Sequence, residues 1–189
     1  MVKSIMIVGV GGQGTLLASR ILGNVAINSG FDVKVSEVHG MSQRGGSVVT
    51  YVRYGEGVSS PIIGLGGADI VLAFEELEAL RSLPYLKKGG RLVVNTQNIA
   101  PMPVITGAAE YPEDIVGKIK AQAVETTAVD ALSIAEELGN VKAVNVVLIG
   151  VLAKTSDIPK EKWIEALRET VPAKFLELNL KAFEAGYNI

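Results

Sequence analysis

Near its start the chain carries a mostly apolar run, residues 4–10, with Ile5-Met6-Ile7-Val8 leading straight into glycines. Apolar residues on both faces mark a central strand covered above and below, as parallel sheets are. Residues 13–29 then carry apolar side chains at mostly helical spacing, through Leu16, Leu17, Ile21, Val25 and Ala26, with Gly30 as a stop. Residues 31–37 alternate apolar and polar, which places that strand half-covered or near an edge. Together the three predict a βαβ unit with a right-handed crossover. Residues 47–54 alternate in their second half and are rich in β-formers. The loop before them is too short for a parallel crossover, so antiparallel pairing with the preceding strand is expected and the sheet is mixed. Further strands are expected at 69–74, 91–95 and 123–127. Helices are expected at 75–81, 113–121, 129–138, 142–154, 159–170 and 172–186. Residues 55–67, with their glycines and Pro61, read as loop, and Pro101 and Pro103 break regular structure. The 142–154 segment is apolar nearly all round, which means full burial or a subunit interface.

The glycines after the first strand, Gly9, Gly11 and Gly14, have G-x-G-x-x-G spacing and open directly onto a helix. Strand, glycine turn and helix N-terminus in that order form a site for an anion, because free N–H groups and the positive helix end face the same point. The expected fold is α/β: a Rossmann-like three-layer sandwich with a mostly parallel, mixed sheet and a helical C-terminal region. Glu37 stands at the end of the second strand, where a dinucleotide-binding fold puts a ribose-binding acid. The simpler reading, which is preferred, is a strand-end carboxylate with local hydrogen bonds. The loop after it holds His39, Ser42, Gln43, Arg44, Gly45 and Gly46, a hydroxyl, an amide, a guanidinium and flexible backbone at the edge where ligands bind. Anion or partner binding and a surface turn with a screened ion pair are the two readings. His39, without partners, reads as structural. Asn95 ends a strand and begins a polar loop, Thr96-Gln97-Asn98, that completes the rim. Asn145 either cross-bonds between helices or satisfies backbone, and Trp163 reads as a packing anchor.

Composition narrows the chemistry. With 189 residues, 48% hydrophobic and 5% aromatic, one domain over 1–189 with a sizeable core is expected. A net charge of −2 gives no electrostatic case for nucleic acid. No apolar stretch approaches a membrane span and the N-terminus reads as a buried strand, so a soluble cytoplasmic protein is the expectation. The chain has no cysteine and one histidine, which removes thiol catalysis, cysteine-ligated clusters on this chain and a histidine-rich metal site. The glycine turn continues Gly-Gly-Gln-Gly-Thr without the P-loop lysine, and no Ser–His–acid set is evident. A crevice without its own catalyst points to a binding subunit of a larger enzyme.

Val8-Gly9-Val10-Gly11-Gly12-Gln13-Gly14, followed by Glu37-Val38-His39-Gly40-Met41-Ser42-Gln43-Arg44-Gly45-Gly46-Ser47-Val48, closely resembles the gamma domain of 2-oxoacid:ferredoxin (acceptor) oxidoreductases. Ala68-Asp69-Ile70, Phe74-Glu75, Glu78-Ala79, Asn95, Asn145 and Gly150 extend the resemblance over essentially the whole chain. As a free-standing subunit it looks most like the small subunit of the indolepyruvate type. The pyruvate or 2-oxoglutarate type is the alternative, and an independent NAD(P)- or nucleotide-binding protein a further one. The resemblance implies CoA-dependent oxidative decarboxylation of a 2-oxoacid to an acyl-CoA, with ferredoxin as electron acceptor. It places thiamine diphosphate and iron–sulfur clusters on a larger partner subunit, and no catalytic or metal-binding residue here. Carried over, the candidate cofactor contacts, for CoA, are Gly11, Gly12, Gln13 and Gly14, with Ser42, Gln43, Arg44, Gly45 and Gly46 opposite.

Overall fold

A computed structural model describes residues 1–37 and 44–189. Among these residues, six strands form one mixed sheet: β1 (Lys3–Val10), β2 (Asp32–Glu37), β3 (Ser47–Gly55), β4 (Ala68–Ala73), β5 (Leu86–Asn95) and β6 (Glu125–Val129), in the order β2-β3-β1-β4-β5-β6. β1, β4, β5 and β6 run parallel, while β3 pairs antiparallel with both β1 and β2. The short loop thus gives the antiparallel pair expected of it. β2 is an edge strand, as its alternation requires, and β3 stands between it and β1, so the βαβ strands are not neighbours.

Among the described residues, eight helices accompany the sheet: α1 (Thr15–Asn28), α2 (Glu76–Ser82), α3 (Met102–Ile105), α4 (Ile115–Lys120), α5 (Ala131–Glu137), α6 (Val144–Lys154), α7 (Lys160–Thr170) and α8 (Ala173–Tyr187). The strand period of two divides the core between them. Ile5, Ile7, Leu72 and Val93 point to one face, where α1 and the helices α5 to α8 pack. Met6, Val8, Val71, Ala73, Leu92 and Val94 point to the other, against α2 and α4. Three layers follow from a central sheet that is apolar on both sides. Most of α6 is buried, its stretch from Val146 to Ala153 against α8, α5, α1 and β5. It is the centre of the larger layer. Trp163 packs there too, fully buried.

Four local expectations are corrected. β5 starts at Leu86, because Gly89 and Gly90 lie in a bulge where the pairing with β4 jumps from Ala68–Leu86 to Ile70–Arg91. β6 starts two residues later than its apolar pattern indicated, and Asp130 then caps α5 by accepting from the Ser133 N–H at 3.0 Å. Pro101 and Pro103 open a single helical turn, α3, where a missing N–H costs nothing. The helix near 142–154 begins as a 3-10 turn, Val141–Ala143, before α6.

Burial pushes the Tyr54 hydroxyl up to about 12, and burial with a hydrogen bond to Glu75 raises Tyr111 as well, both from an ordinary 10.0. The unfolded chain therefore releases these protons first. The stability they contribute is complete below pH 10 and is lost as pH rises through the folded values. Thermal unfolding followed from pH 9 to 12 should show a falling midpoint, and Tyr111→Phe should flatten that fall.

Candidate functional site

The parallel strands end at one edge, and the glycine turn sits there between β1 and α1. Gly9 is at this position for packing: a Cβ would stand 2.9 Å from the Phe74 Cβ and 2.8 Å from Gln13 Oε1. Gly14 is the N-cap of α1 in the left-handed region, φ +84, and a Cβ there would meet Asn145 Nδ2 at 2.5 Å.

Gln13 folds beneath the turn. Its Oε1 accepts from the Val10 N–H at 2.7 Å, and its Nε2 donates to the Phe74 carbonyl at 3.0 Å and to Gln97 Oε1 at 3.1 Å. Asn95, fully buried at the end of β5, donates to the same Phe74 carbonyl at 3.1 Å and to Gln97 Oε1 at 3.4 Å. Its Oδ1 accepts from the Ala131 N–H at 3.1 Å. Three amides thus tie the turn to the ends of β4 and β5 and to the start of α5. Both Gln13 donors are committed to protein acceptors, so its amide holds the turn in shape rather than facing outward.

The Gly11 N–H donates to the Gly46 carbonyl at 2.9 Å, which seats the glycine turn against the second glycine loop. Arg44 and Gly45 are exposed beside it. His39, Ser42 and Gln43 lie outside the described residues. Among the described residues, the N–H groups of Gly12, Gly14, Thr15 and Leu16 have no acceptor. α1 carries no acid in its first turn, so its positive end is not neutralised. These donors, rather than Gly11 and Gln13, give the turn its capacity for an anion.

Recesses flank the turn on both sides. One of about 300 Å³ lies between Gly11, Gly12, Thr15 and Leu16 and the β3 residues Val48 and Thr50. The other, about 730 Å³, opens toward the C-terminal helices between Gly12, Gly14, Leu17, Val141 and Phe175. Its polar lining residues are Gln13, Gln97, Asn140, Lys142, Asn145 and Asn179. Asn145 is buried and donates to the Gly14 carbonyl at 3.4 Å, while its Oδ1 has no partner among the described residues. A buried acceptor left unpaired costs about 1–3 kcal/mol, so a donor arriving with a ligand would relieve it. The C-terminal contribution to the cleft, above all Lys142 and Asn179, was missed in the sequence. The polar Asn145 in an apolar helix was the one signal that could have found it.

Two carboxylates resolve to local roles. Glu37 accepts from Ser19 Oγ at 2.7 Å in a groove with Arg20 and Thr170, away from the glycine turn. That geometry withdraws the ribose contact on which a dinucleotide reading relied. Glu75 is the N-cap of α2, accepting from the Glu78 N–H at 2.9 Å and the Ile99 N–H at 3.0 Å, and from the Tyr111 hydroxyl.

Comparison with known proteins agrees with this architecture. A family profile described as pyruvate ferredoxin/flavodoxin oxidoreductase matches residues 4–189. The chain is 45% identical to the indolepyruvate oxidoreductase subunit IorB of Thermococcus kodakarensis over 195 residues, covering 97% of this chain and 93% of the relative. It is 44% identical to the subunit of the same name from Archaeoglobus fulgidus over 189 residues, covering 98% and 94%. The crystal structure of the keto/oxoacid ferredoxin oxidoreductase gamma subunit from Geobacter sulfurreducens superposes with a TM-score of 0.73 at 26% identity, covering 98% of this chain and 96% of that one. A family profile that matches almost end to end, with relatives 45% and 44% identical over nearly the whole chain, makes this chain a member of the pyruvate ferredoxin/flavodoxin oxidoreductase family, as a subunit of an oxidoreductase complex.

Proposed function

We propose that the chain is the small subunit of an indolepyruvate (aryl-pyruvate):ferredoxin oxidoreductase. In this role it supports CoA-dependent oxidative decarboxylation of a 2-oxoacid to an acyl-CoA, with reduction of ferredoxin. The observation that carries the assignment is its identity to relatives of that name, 45% and 44% over nearly the whole chain. Iron–sulfur clusters belong to the larger partner subunit, since a chain without cysteine offers no thiolate ligands for a cluster, and the family resemblance assigns thiamine diphosphate to the same subunit.

CoA fits the glycine turn by the chemistry of the donors present. The Gly12, Gly14, Thr15 and Leu16 N–H groups suit a phosphate, and Arg44 stands beside the loop that Gly11 anchors. Gly45 and Gly46, with Ser42 and Gln43 before them in sequence, complete the candidate contact set. When bound, CoA supplies the thiol that receives the acyl group. This chain holds its phosphate end and excludes water with the apolar walls of the cleft.

The test is reconstitution. The large subunit alone, with indolepyruvate, CoA and ferredoxin, should be inactive, and adding this chain should restore turnover. Full activity without it would sink the assignment, and preference for pyruvate or 2-oxoglutarate would move it to another branch. In the active complex, Arg44→Ala should weaken CoA binding by about 1.5–3 kcal/mol, the worth of a charge-assisted hydrogen bond.

A further inference from the structure

Ser47 is the first residue of β3 and lies opposite Val10, the last residue of β1. It follows Arg44, Gly45 and Gly46 directly, so the second glycine loop reaches the sheet through it. Two consecutive residues are pinned at this junction. The Gly46 carbonyl accepts from the Gly11 N–H at 2.9 Å, and Ser47 Oγ donates to Glu78 Oε2 at 2.5 Å. Glu78 belongs to α2 and is only 4% exposed. It is itself held at both ends. Its N–H donates to Glu75 Oε2 at 2.9 Å, its carbonyl accepts from Ser82 Oγ at 2.8 Å, and its Oε1 accepts from Arg81 Nη1 at 2.6 Å. Val48, one residue past Ser47, walls the 300 Å³ recess beside the glycine turn.

We infer that Glu78 is a positioning residue for the ligand site: through Ser47 it sets how the Arg44-Gly45-Gly46 segment meets the glycine turn. The inference rests on the reading that this turn and Arg44 hold CoA. A buried carboxylate is costly unless it is paired and hydrogen-bonded, and apolar side chains in place of such a pair are often neutral or stabilising. Leu77 and Ala79, on either side of Glu78, pack in the apolar layer between α2 and the sheet. Stability alone gives no reason for an acid between them. Geometry does, because the carboxylate ties α2 to the start of β3, 31 positions away in sequence. Arg81 pairs with it and offsets its charge, which limits repulsion of an anion nearby. The Ser47 hydroxyl has one proton, and Glu78 accepts it, so Ser47 has no donor left for a phosphate. Ser47 therefore anchors the loop, and the ligand is left to Arg44 and the N–H groups of the turn. Glu75, the neighbouring buried acid, accepts from Glu78, Ile99 and Tyr111 instead.

The experiment is steady-state kinetics of the complex reconstituted with the large subunit, varying CoA and indolepyruvate in turn. Ser47→Ala removes the anchor at an exposed position. It should raise the KM for CoA by about fivefold, the size of one lost hydrogen bond, with kcat and the KM for indolepyruvate unchanged. Ser47→Thr keeps the hydroxyl and should restore the natural value. Glu78→Met should raise the KM for CoA to a similar extent without lowering the thermal midpoint of the isolated chain. The double variant should be no worse than either single one, because both act through one contact. A natural KM for CoA in Ser47→Ala would overturn the positioning role, while CoA-dependent turnover of the natural complex would leave the functional reading standing. An equal rise in the KM for indolepyruvate, or no recovery in Ser47→Thr, would mark a general distortion of the chain and also overturn it. A natural complex whose turnover needs neither this chain nor CoA would overturn both readings.

Discussion

Gly186→Ala should be among the most damaging single methyl additions to this protein, costing about 3 kcal/mol or more. α6 and α8 make the most extensive helix contact in the fold, and they cross backbone to backbone at two glycines. A Cβ at Gly186 would overlap the Val147 carbonyl, and one at Gly150 would overlap the Phe183 carbonyl. Both obstacles are main chain, so no rotamer change relieves them, and the helices must separate. Separation strips contacts from Val147, Leu148 and Phe183, each fully buried. The thermal midpoint should fall by about 6–12 °C for a chain of this size. Gly64→Ala is the control: nothing lies within 4 Å of its added carbon, and it should melt like the natural protein. The same change should reach the cleft, because α8 supplies Phe175 and Asn179 to its wall.

Those glycines illustrate what could be read in advance and what could not. The sheet was legible because burial on both faces leaves a signature within each strand, as in Ile5-Met6-Ile7-Val8, whose residues divide alternately between the two cores. The edge position of β2 was legible for the same reason, through its alternation. The glycine turn and the Arg44-Gly45-Gly46 loop were found as separate strings. Their contact, one bond from Gly11 to Gly46, depends on β3 lying antiparallel against β1, whereas loop length indicated only its pairing with β2. The amide cluster was not legible. Gln13 meets Phe74 across 61 positions and Gln97 across 84, and Asn145 meets Gly14 across 131. Pairs so distant leave no local period, and a glutamine beside glycines looks like a ligand donor until its partners are known. The bulge at Gly89 and Gly90 failed for a related reason: two glycines signal a turn, but here the strand continues past them in a shifted register.

Gln13→Glu should cost more than Gln13→Ala, although glutamate is nearly the same shape. Alanine leaves the Val10 N–H without its acceptor, a loss of about 1–3 kcal/mol, while Asn95 still donates to Phe74 and Gln97. Glutamate keeps the acceptor for Val10 but replaces both donors. Its second oxygen would face the Phe74 carbonyl at 3.0 Å and Gln97 Oε1 at 3.1 Å, which are both acceptors. A charged carboxylate there is repelled, so it holds a proton and its pKa rises above that of the unfolded chain. The sign of the pH dependence follows. Below the ordinary carboxylate pKa the glutamic acid donates one bond and the variant approaches the natural protein. As pH rises through the elevated folded value, that stability is lost. Thermal unfolding of Gln13→Glu at pH 4.5 and pH 8 should therefore show a deficit, relative to the natural chain at each pH, that grows toward pH 8, whereas the Gln13→Ala deficit stays constant. In the assembled enzyme both variants should raise the KM for CoA, because the turn that presents the Gly12, Gly14 and Thr15 N–H groups has lost its support. A pH-independent deficit for the glutamate variant would mean that the turn opens to water and that Gln13 does not fix it.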